Sequence, residues 1–444
     1  LEEKLEAAIV QHKVDASPAS IQTWLEKHIR DVGPATAQRI VEMLGGGRAL
    51  NRFTDAEGMV SLGVKRSHAE EIAKKYQDNA AAAKNYMFLV SLVNNDGKQI
   101  LNKAQIKNIQ AKIPSGVLEE TIKQNPWSVM AIEGIDFKTA DNLGLSMGFK
   151  WECPQRVHAG CLHALRLVGQ DPRKGYTAVP EDIMIETATT EDVLGVDANV
   201  IKNMLSEMIG NETIIKDEST GYLYTPEMWN AEATIVERVV RILSKPPYVS
   251  QETARELMLK CSKLEGVNLD ESQQAAVMSG IMYPVLVITG GPGTGKSTVQ
   301  KVLFRALASA ESNRTATMGD AVDDEDYSTI SPSCPTGKGA VRLAEASGFS
   351  ASTIHRQLEW SAQEGGFRRN KHSPINASVV ATDEYSITYT LLCASQLSAV
   401  HDKASLLLIG DDNQLTSVGP GQVLRDLIDS GLVPVAQLTR THRQ

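Results

Sequence analysis

The sequence predicts a multidomain protein with an α-helical N-terminal region (residues 1–150), a helical spacer ending in a β-hairpin (151–245) and an α/β domain on a parallel sheet (251–444). Three observations lead there. The 444 residues exceed the ~100–200 of a typical domain, which suggests two to four domains. Residues before 150 read as short helices separated by glycine turns, with no long alternating strand pattern. After Gln251, apolar runs of strand length alternate with helical stretches, the texture of strands buried on both faces.

Composition excludes several classes. A hydrophobic fraction of 42% and a charged fraction of 22% are those of a globular protein, so global disorder is excluded. No run approaches the ~18 apolar residues of a membrane helix, and no membrane partner is expected. The start, LEEKLEAAIV, lacks the basic-then-apolar pattern of a secretory signal and has no initiator Met, so Leu1 is not taken as the natural start. Cys153, Cys161, Cys261, Cys334 and Cys393 are scattered, without C-x-x-C spacing. That excludes a zinc site of usual spacing and argues against a disulfide framework, predicting a cytoplasmic or nucleoid-associated setting. The net charge of −9 at first argues against nucleic acid. It is uneven, however: residues 1–150 carry 19 basic and 18 acidic side chains, whereas residues 151–260 carry 11 and 17.

Within 1–150 one phrase recurs. Asp31-Val32-Gly33-Pro34-Ala35-Thr36-Ala37 precedes an apolar-periodic run, Glu133-Gly134-Ile135-Asp136-Phe137-Lys138-Thr139-Ala140 does the same, and Ser61-Leu62-Gly63-Val64-Lys65 is a weaker copy. A tight glycine turn feeding a helix N-terminus exposes N–H groups and the positive helix end to a phosphate. This pattern resembles the helix-hairpin-helix motif, with Gly33 and Gly134 as its DNA-backbone contacts. A glycine cap joining two packed helices would give the same pattern.

In the spacer, Thr213-Ile214-Ile215-Lys216 and Tyr222-Leu223-Tyr224 flank Asp217–Gly221 as a hairpin after helices, a winged-helix-like arrangement. Lys245-Pro246-Pro247 marks the boundary, since paired prolines cannot continue a helix. In the last domain, strands are predicted at Val285–Ile288, Ser378–Ala381, Leu406–Ile409 and Val433–Val435. The acidic stretch Glu311–Ser328 is expected to be a solvated, mobile loop and a possible partner contact.

The chemistry concentrates there. Gly290-Gly291-Pro292-Gly293-Thr294-Gly295-Lys296-Ser297 fits the P-loop pattern between a predicted strand (Val285–Thr289) and helix (Thr298–Ala308). Its backbone N–H groups would wrap phosphates, Lys296 would reach the β/γ oxygens and Ser297 would ligate Mg²⁺. ATP-binding candidates are therefore Gly291, Pro292, Gly293, Thr294, Gly295, Lys296, Ser297 and Thr298. Asp383 and Glu384 end an apolar run 87 residues after Lys296. Asp383 would hold Mg²⁺, and Glu384 would orient and deprotonate water. Gln414, in Gly410-Asp411-Asp412-Asn413-Gln414-Leu415-Thr416-Ser417-Val418-Gly419-Pro420-Gly421, is placed to couple the γ-phosphate to a neighbouring ligand site.

Together these three segments resemble superfamily 1 helicases, and within them the RecD-like 5′→3′ branch. Further motifs follow the family's order. Leu269-Asp270-Glu271-Ser272-Gln273-Gln274 is similar to the motif in which Gln273 would bond adenine. Cys334-Pro335-Thr336-Gly337-Lys338 resembles the segment that touches single-stranded DNA through Pro335 and Thr336. Ser352-Thr353-Ile354-His355 resembles the element in which Thr353 and His355 share that task. Leu438–Gln444 resembles the motif whose arginine, here Arg443, faces the γ-phosphate. Asn125-Pro126-Trp127, Gly134–Asp141 and Pro154–Val157 are similar to the family's longer form, with helix-hairpin-helix repeats ahead of a RecA-like motor.

The resemblance implies an ATP- and Mg²⁺-dependent DNA helicase moving 5′→3′ on single-stranded DNA at a duplex or fork junction. The alternative is an ATP-gated DNA-binding or partner-recruiting protein without processive unwinding, its protein partner met by the N-terminal region or the acidic segment. Three departures stand out. Tyr385 follows the Asp-Glu pair where the family has a small residue, the acidic stretch is an insertion, and the second motor domain's late motifs are not found by Gln444.

Overall fold

The computed structural model describes residues 17–94, 96–169, 175–318, 328–411, 417 and 419–442. The chain divides into two compact units, Leu1–Ala164 with Ile185–Glu207, and Leu165–Met184 with Met208–Gln444. The three segments read from sequence are cut differently here, because 151–245 contributes to both units.

The first unit is helical. Each predicted glycine turn leads into a helix: Pro34–Met43, Arg66–Asp78 and Phe137–Ser146. Their geometries differ. Gly63 and Gly134 take φ of +97° and +83°, the left-handed region that glycine enters without a Cβ penalty. Gly33 has φ −86° and caps its helix in an extended conformation; Asp31, at φ +58°, makes that turn instead. Pro34 then begins the helix, where a missing N–H costs nothing. In the third copy Asp136 caps the helix by accepting from the Thr139 amide at 2.8 Å.

Residues singled out by resemblance in this unit converge on one buried cluster. Arg156 is 1% exposed and donates from Nε and Nη2 to the Asp141 carboxylate at 2.8 and 3.0 Å. Its Nη1 serves the Trp151 and Leu194 carbonyls, both at 2.9 Å. Trp127 Nε1 donates to the same Asp141 at 3.0 Å. A Cβ on Gly144 would lie 2.4 Å from the Trp127 ring, and one on Gly160 would lie 2.2 Å from Leu194. These positions hold the helices together; their side chains are spent on each other.

In the second unit a small antiparallel sheet has order β1 (Val179–Pro180), β3 (Tyr222–Tyr224), β2 (Ile215–Lys216). Asp217 closes the β2–β3 turn by accepting from Ser219 and Thr220.

The remainder is a six-stranded parallel sheet. Its strands are β4 (Val285–Gly290), β5 (Ser328–Cys334), β6 (Ser352–Thr353), β9 (Ala377–Thr382), β10 (Ser405–Gly410) and β11 (Val435–Leu438). Their order is β11-β4-β10-β9-β5-β6. Between β6 and β9, β7 (Trp360–Ser361) and β8 (Gly366–Phe367) form a separate hairpin. Two cores explain the unbroken apolar runs. Val285, Val287, Val380, Leu406 and Leu408 face one, and Leu286, Ile288, Val379, Ala381, Leu407 and Ile409 face the other with Val302, Leu303 and Phe304 of the helix after β4. Both faces are covered, so both parities are apolar.

The structure corrects three sequence expectations. The helix after β4 runs Lys296–Met318, taking in the first eight residues of the expected loop Glu311–Ser328. No Pro or Gly interrupts Glu311–Thr317, and extending a formed helix avoids the nucleation cost. The acidic residues Asp320–Asp326 lie outside the described residues. The last strand begins only at Val435, since Pro434 has no N–H; its carbonyl accepts from Val287 N at 3.0 Å. The helix Pro226–Leu243, assigned from sequence to the spacer, buries Ile235, Val239 and Ile242 in the sheet's core with Leu392 and Leu397. Its Arg238 bonds the Leu397 and Val400 carbonyls and Asp402.

All five cysteines are free. No helix among the described residues is long and apolar enough to cross a membrane.

Candidate nucleotide site

The register sets the site. Gly290 aligns with Leu438, Gly410 with Thr289, Leu408 with Thr382, Ser333 with Thr382 and Cys334 with Thr353. The segments after these strands therefore leave one edge of the sheet, its C-terminal edge, where α/β folds place their ligands. The P-loop follows β4, Asp383-Glu384 follows β9, Pro335-Thr336 follows β5 and His355 follows β6.

The P-loop is shaped by its glycines. Gly293 and Gly295 have φ of +83° and +86°. A Cβ on Gly290 would press against Leu438, and one on Gly295 would meet Gln273 Nε2 at 2.3 Å. Thr294 is buried and its hydroxyl donates to the Gly291 carbonyl at 2.9 Å. Lys296 donates to the Gly290 and Gly291 carbonyls, so its ammonium lies over the loop mouth. Pro292 and Ser297 are exposed at the mouth; Gly291 and Thr298 are half-buried.

Gln273 is 3% exposed. Its Nε2 donates to the Thr294 carbonyl at 3.1 Å and its Oε1 accepts from Asp270 N at 3.1 Å. The amide expected to meet adenine is thus engaged in holding the P-loop and the cap of its own helix. Asp270 is the hub of that cap. Burial opposes its ionisation, but bonds from the Ser272 hydroxyl, the Gln273 amide and His442 outweigh it and hold its carboxyl at about 2. His442 reaches it at 2.8 Å and donates its backbone N–H to the Gly293 carbonyl at 2.9 Å.

Asp383 and Glu384 are held differently. Burial raises the Asp383 carboxyl, against the pull of the Gln300 amide and the Lys296 ammonium. Glu384 adopts φ +54°, ψ +34°, unusual for a residue with a side chain. Its Oε2 accepts from Cys334 Sγ at 3.2 Å and Thr336 Oγ1 at 3.4 Å. Burial foremost, then the neighbouring carboxylate, pushes the Cys334 thiol up to about 12, so it stays a proton donor at neutral pH. Tyr385, the departure from the family pattern, is fully buried in the core with Leu392, Cys393 and Leu424, away from solvent.

The sequence assigns the Ser297 hydroxyl and the Asp383 carboxylate to a metal. Hard oxygens in small number suit Mg²⁺, which keeps waters and substrate phosphate oxygens rather than an all-protein cage. No group of three or more His, Cys, Asp or Glu is placed to hold a metal among the described residues.

Thr353 caps the helix Ile354–Gln357 by accepting from Arg356 N at 3.2 Å, and His355 is exposed with its ring 5.6 Å from Phe367. Gln414 and Arg443 lie outside the described residues.

Two features escaped sequence reasoning. Gln396 Nε2 donates to Gln357 Oε1 and Thr382 Oγ1, both at 2.8 Å, and to Ser333 Oγ at 3.2 Å. This buried network ties the helix of His355 to the last residue of β9; nothing in the local sequence marks Gln396. Trp360 is 52% exposed, packed edge-on to Phe367 at 5.0 Å. Isolated aromatics around Gly365-Gly366 could have suggested a hairpin.

Residues 98–171 match the model of the ATP-dependent RecD2 DNA helicase HHH domain, and residues 273–420 match an AAA domain. The chain is 27% identical to the ATP-dependent RecD2 DNA helicase of Deinococcus radiodurans, over 97% of the chain and 57% of that protein. It is 32% identical to the RecBCD enzyme subunit RecD of Mycobacterium tuberculosis over 50% of the chain and 39% of that subunit. DNA helicase B of Mus musculus is 26% identical over 38% of the chain and 18% of its own length. The chain spans little more than half of the Deinococcus relative and less of the others. Similarity to RecD2 runs from the helical unit through the parallel sheet.

Proposed function

We propose that this chain, RecD2-like through its HHH and AAA domains, belongs to an ATP-dependent DNA helicase that advances 5′→3′ along single-stranded DNA and opens duplex at a fork. One observation carries the reading: the P-loop with Lys296, the Asp383-Glu384 pair and the Thr336 and His355 segments all leave the same edge of one parallel sheet.

Catalysis is positioning plus charge stabilisation. The P-loop N–H groups cradle the phosphates, and the Lys296 ammonium turns from the Gly290 and Gly291 carbonyls to the β/γ oxygens. Ser297 and Asp383 would hold Mg²⁺, which would supply positive charge against the charge that develops on the phosphate oxygens. Glu384 orients the attacking water and takes its proton. Gln414 and Arg443 are assigned to the γ-phosphate; Gln273 would reach the nucleotide base by giving up its bonds to Thr294 and Asp270. Pro335, Thr336, Thr353 and His355 hold single-stranded DNA mainly by its backbone, and exposed Trp360 offers a stacking face. Gly33 and Gly134 grip duplex backbone. The acidic sum of the chain does not oppose this, because a local groove decides.

The test is ATP hydrolysis by the full-length protein with and without oligo(dT), and unwinding of forks tailed on the 5′ or 3′ side. Hydrolysis stimulated by DNA, lost in Lys296→Ala, with unwinding that needs a 5′ tail, is expected. DNA-independent hydrolysis indifferent to Lys296→Ala overturns the reading. Stimulated hydrolysis without unwinding instead selects an ATP-gated binding protein.

A further inference from the structure

We propose that Glu384 is restrained by the Cys334–Thr336 segment and is released to the nucleotide when the backbone of a single strand takes over the Thr336 hydroxyl. The inference rests on the roles just given to Glu384 and Thr336, and concerns how the site is regulated.

The argument starts from a proton. Thr336 Oγ1 accepts from Gly339 N at 3.0 Å, capping the helix Gly337–Ser347. The same oxygen lies 3.4 Å from Glu384 Oε2, to which the hydroxyl donates. A hydroxyl has one proton to donate, so it serves the carboxylate or an incoming phosphate oxygen, not both. Thr336, Gly337 and Lys338 are exposed, so a phosphate has access to that hydroxyl. An anion arriving there also repels the Glu384 carboxylate.

The recess that receives Glu384 depends on a glycine. A Cβ at Gly339 would lie 2.2 Å from Cys334 Sγ and 2.8 Å from both Glu384 Oε2 and Thr336 Oγ1. The second donor, Cys334 Sγ, is fully buried and 3.2 Å from the same oxygen. The carboxylate is therefore held from two sides in a space that any other residue at 339 would occupy. Glu384 has a left-handed backbone, and such conformations persist where surrounding contacts over-determine them. Two donors to one catalytic oxygen, both from the segment assigned to the strand, make Cys334 and Thr336 positioning residues whose effect reaches chemistry through Glu384.

The experiment measures hydrolysis by the full-length protein without DNA, then with saturating oligo(dT). Removing the 3.4 Å contact in Thr336→Val, or filling the recess in Gly339→Ala, is expected to raise the DNA-free rate severalfold. KM for ATP stays unchanged and the stimulation ratio shrinks. Thr336→Ser restores the low DNA-free rate. A second readout uses no nucleotide: because coupling is reciprocal, Glu384→Ala should tighten oligo(dT) binding about fivefold. Asp383→Ala, which removes an adjacent charge with no bond to Thr336, should not. If variants at 336 and 339 fold but leave the DNA-free rate at or below that of the native protein, the proposal fails. If they do not fold, the comparison of Glu384→Ala with Asp383→Ala decides, and equal affinities overturn it. Full hydrolysis in Glu384→Gln would instead remove the catalytic role of Glu384, a separate failure.

Discussion

Asp270 and His442, 172 residues apart, share a 2.8 Å hydrogen bond that ties the cap of the helix Glu271–Met282 to the segment following β11. The P-loop lies between them, bonded to His442 through Gly293 and to Gln273 through Thr294. Removing either partner is expected to loosen the loop. The imidazole is 42% exposed, so a double-mutant cycle of Asp270→Asn and His442→Ala should return a coupling of only about 0.5–1 kcal/mol. Chemical denaturation of the four proteins measures it.

The same residue predicts a pH effect. Asp270 is depressed from 3.8 to about 2 in the fold, so its ionised form stabilises the native state above the unfolded value. That contribution is complete above about pH 5 and is lost as pH falls toward 2. Asp270→Asn should lower the melting temperature at pH 7 and lose most of that deficit near pH 2, in melts recorded across this range.

In the P-loop, Gly295 combines φ +86° with a Cβ position 2.3 Å from Gln273 Nε2. Gly295→Ala should disturb the Gln273–Thr294 bond and weaken ATP binding, whereas Lys296→Ala should chiefly affect hydrolysis, by about 10²-fold or more. Nucleotide titration beside steady-state hydrolysis separates the two.

The Arg156–Asp141 pair is structural. Arg156→Leu strands a largely buried carboxylate and should destabilise the helical unit by about 3–5 kcal/mol. Arg156→Met with Asp141→Leu should recover much of that loss. Urea unfolding of each variant tests it; a neutral Arg156→Leu would contradict the assignment.

The glycine turns make a paired prediction for DNA. Gly33 has ordinary φ and no atom within 4 Å of a Cβ, so Gly33→Val should keep the fold and report only on backbone contact. Gly134 at φ +83° should lose about 1 kcal/mol of stability as Ala. A several-fold loss of forked-DNA affinity at fixed salt in folded Gly33→Val supports contact; unchanged affinity reduces the turn to packing.

Much of this was legible in the chain because it is local. Strand-length apolar runs mark β4, β9 and β10, since strands covered on both faces need apolar residues at both parities. The P-loop is legible for the same reason: Gly293 and Gly295 must adopt positive φ, and only their spacing with Lys296-Ser297 makes the cradle. The helix beyond Ala310 is hidden in the sequence because acidic, polar composition argues for a loop while backbone propagation depends on what precedes it. At Gly33 the left-handed position of the turn falls on Asp31, which a glycine pattern hides.

The sequence by itself determined the two architectures, the order of the motifs and the residue types able to bind phosphate, metal and water. Tertiary structure alone decided where those side chains go. Gln273 braces the P-loop, Trp127, Asp141 and Arg156 join in one buried cluster, and Gln396 joins strands β5 and β9. Glu384 rests on Thr336, 48 residues away in sequence. Local preference depends on neighbours in the chain, but a hydrogen bond depends on which strands pair and in what register, and that is set by the fold as a whole.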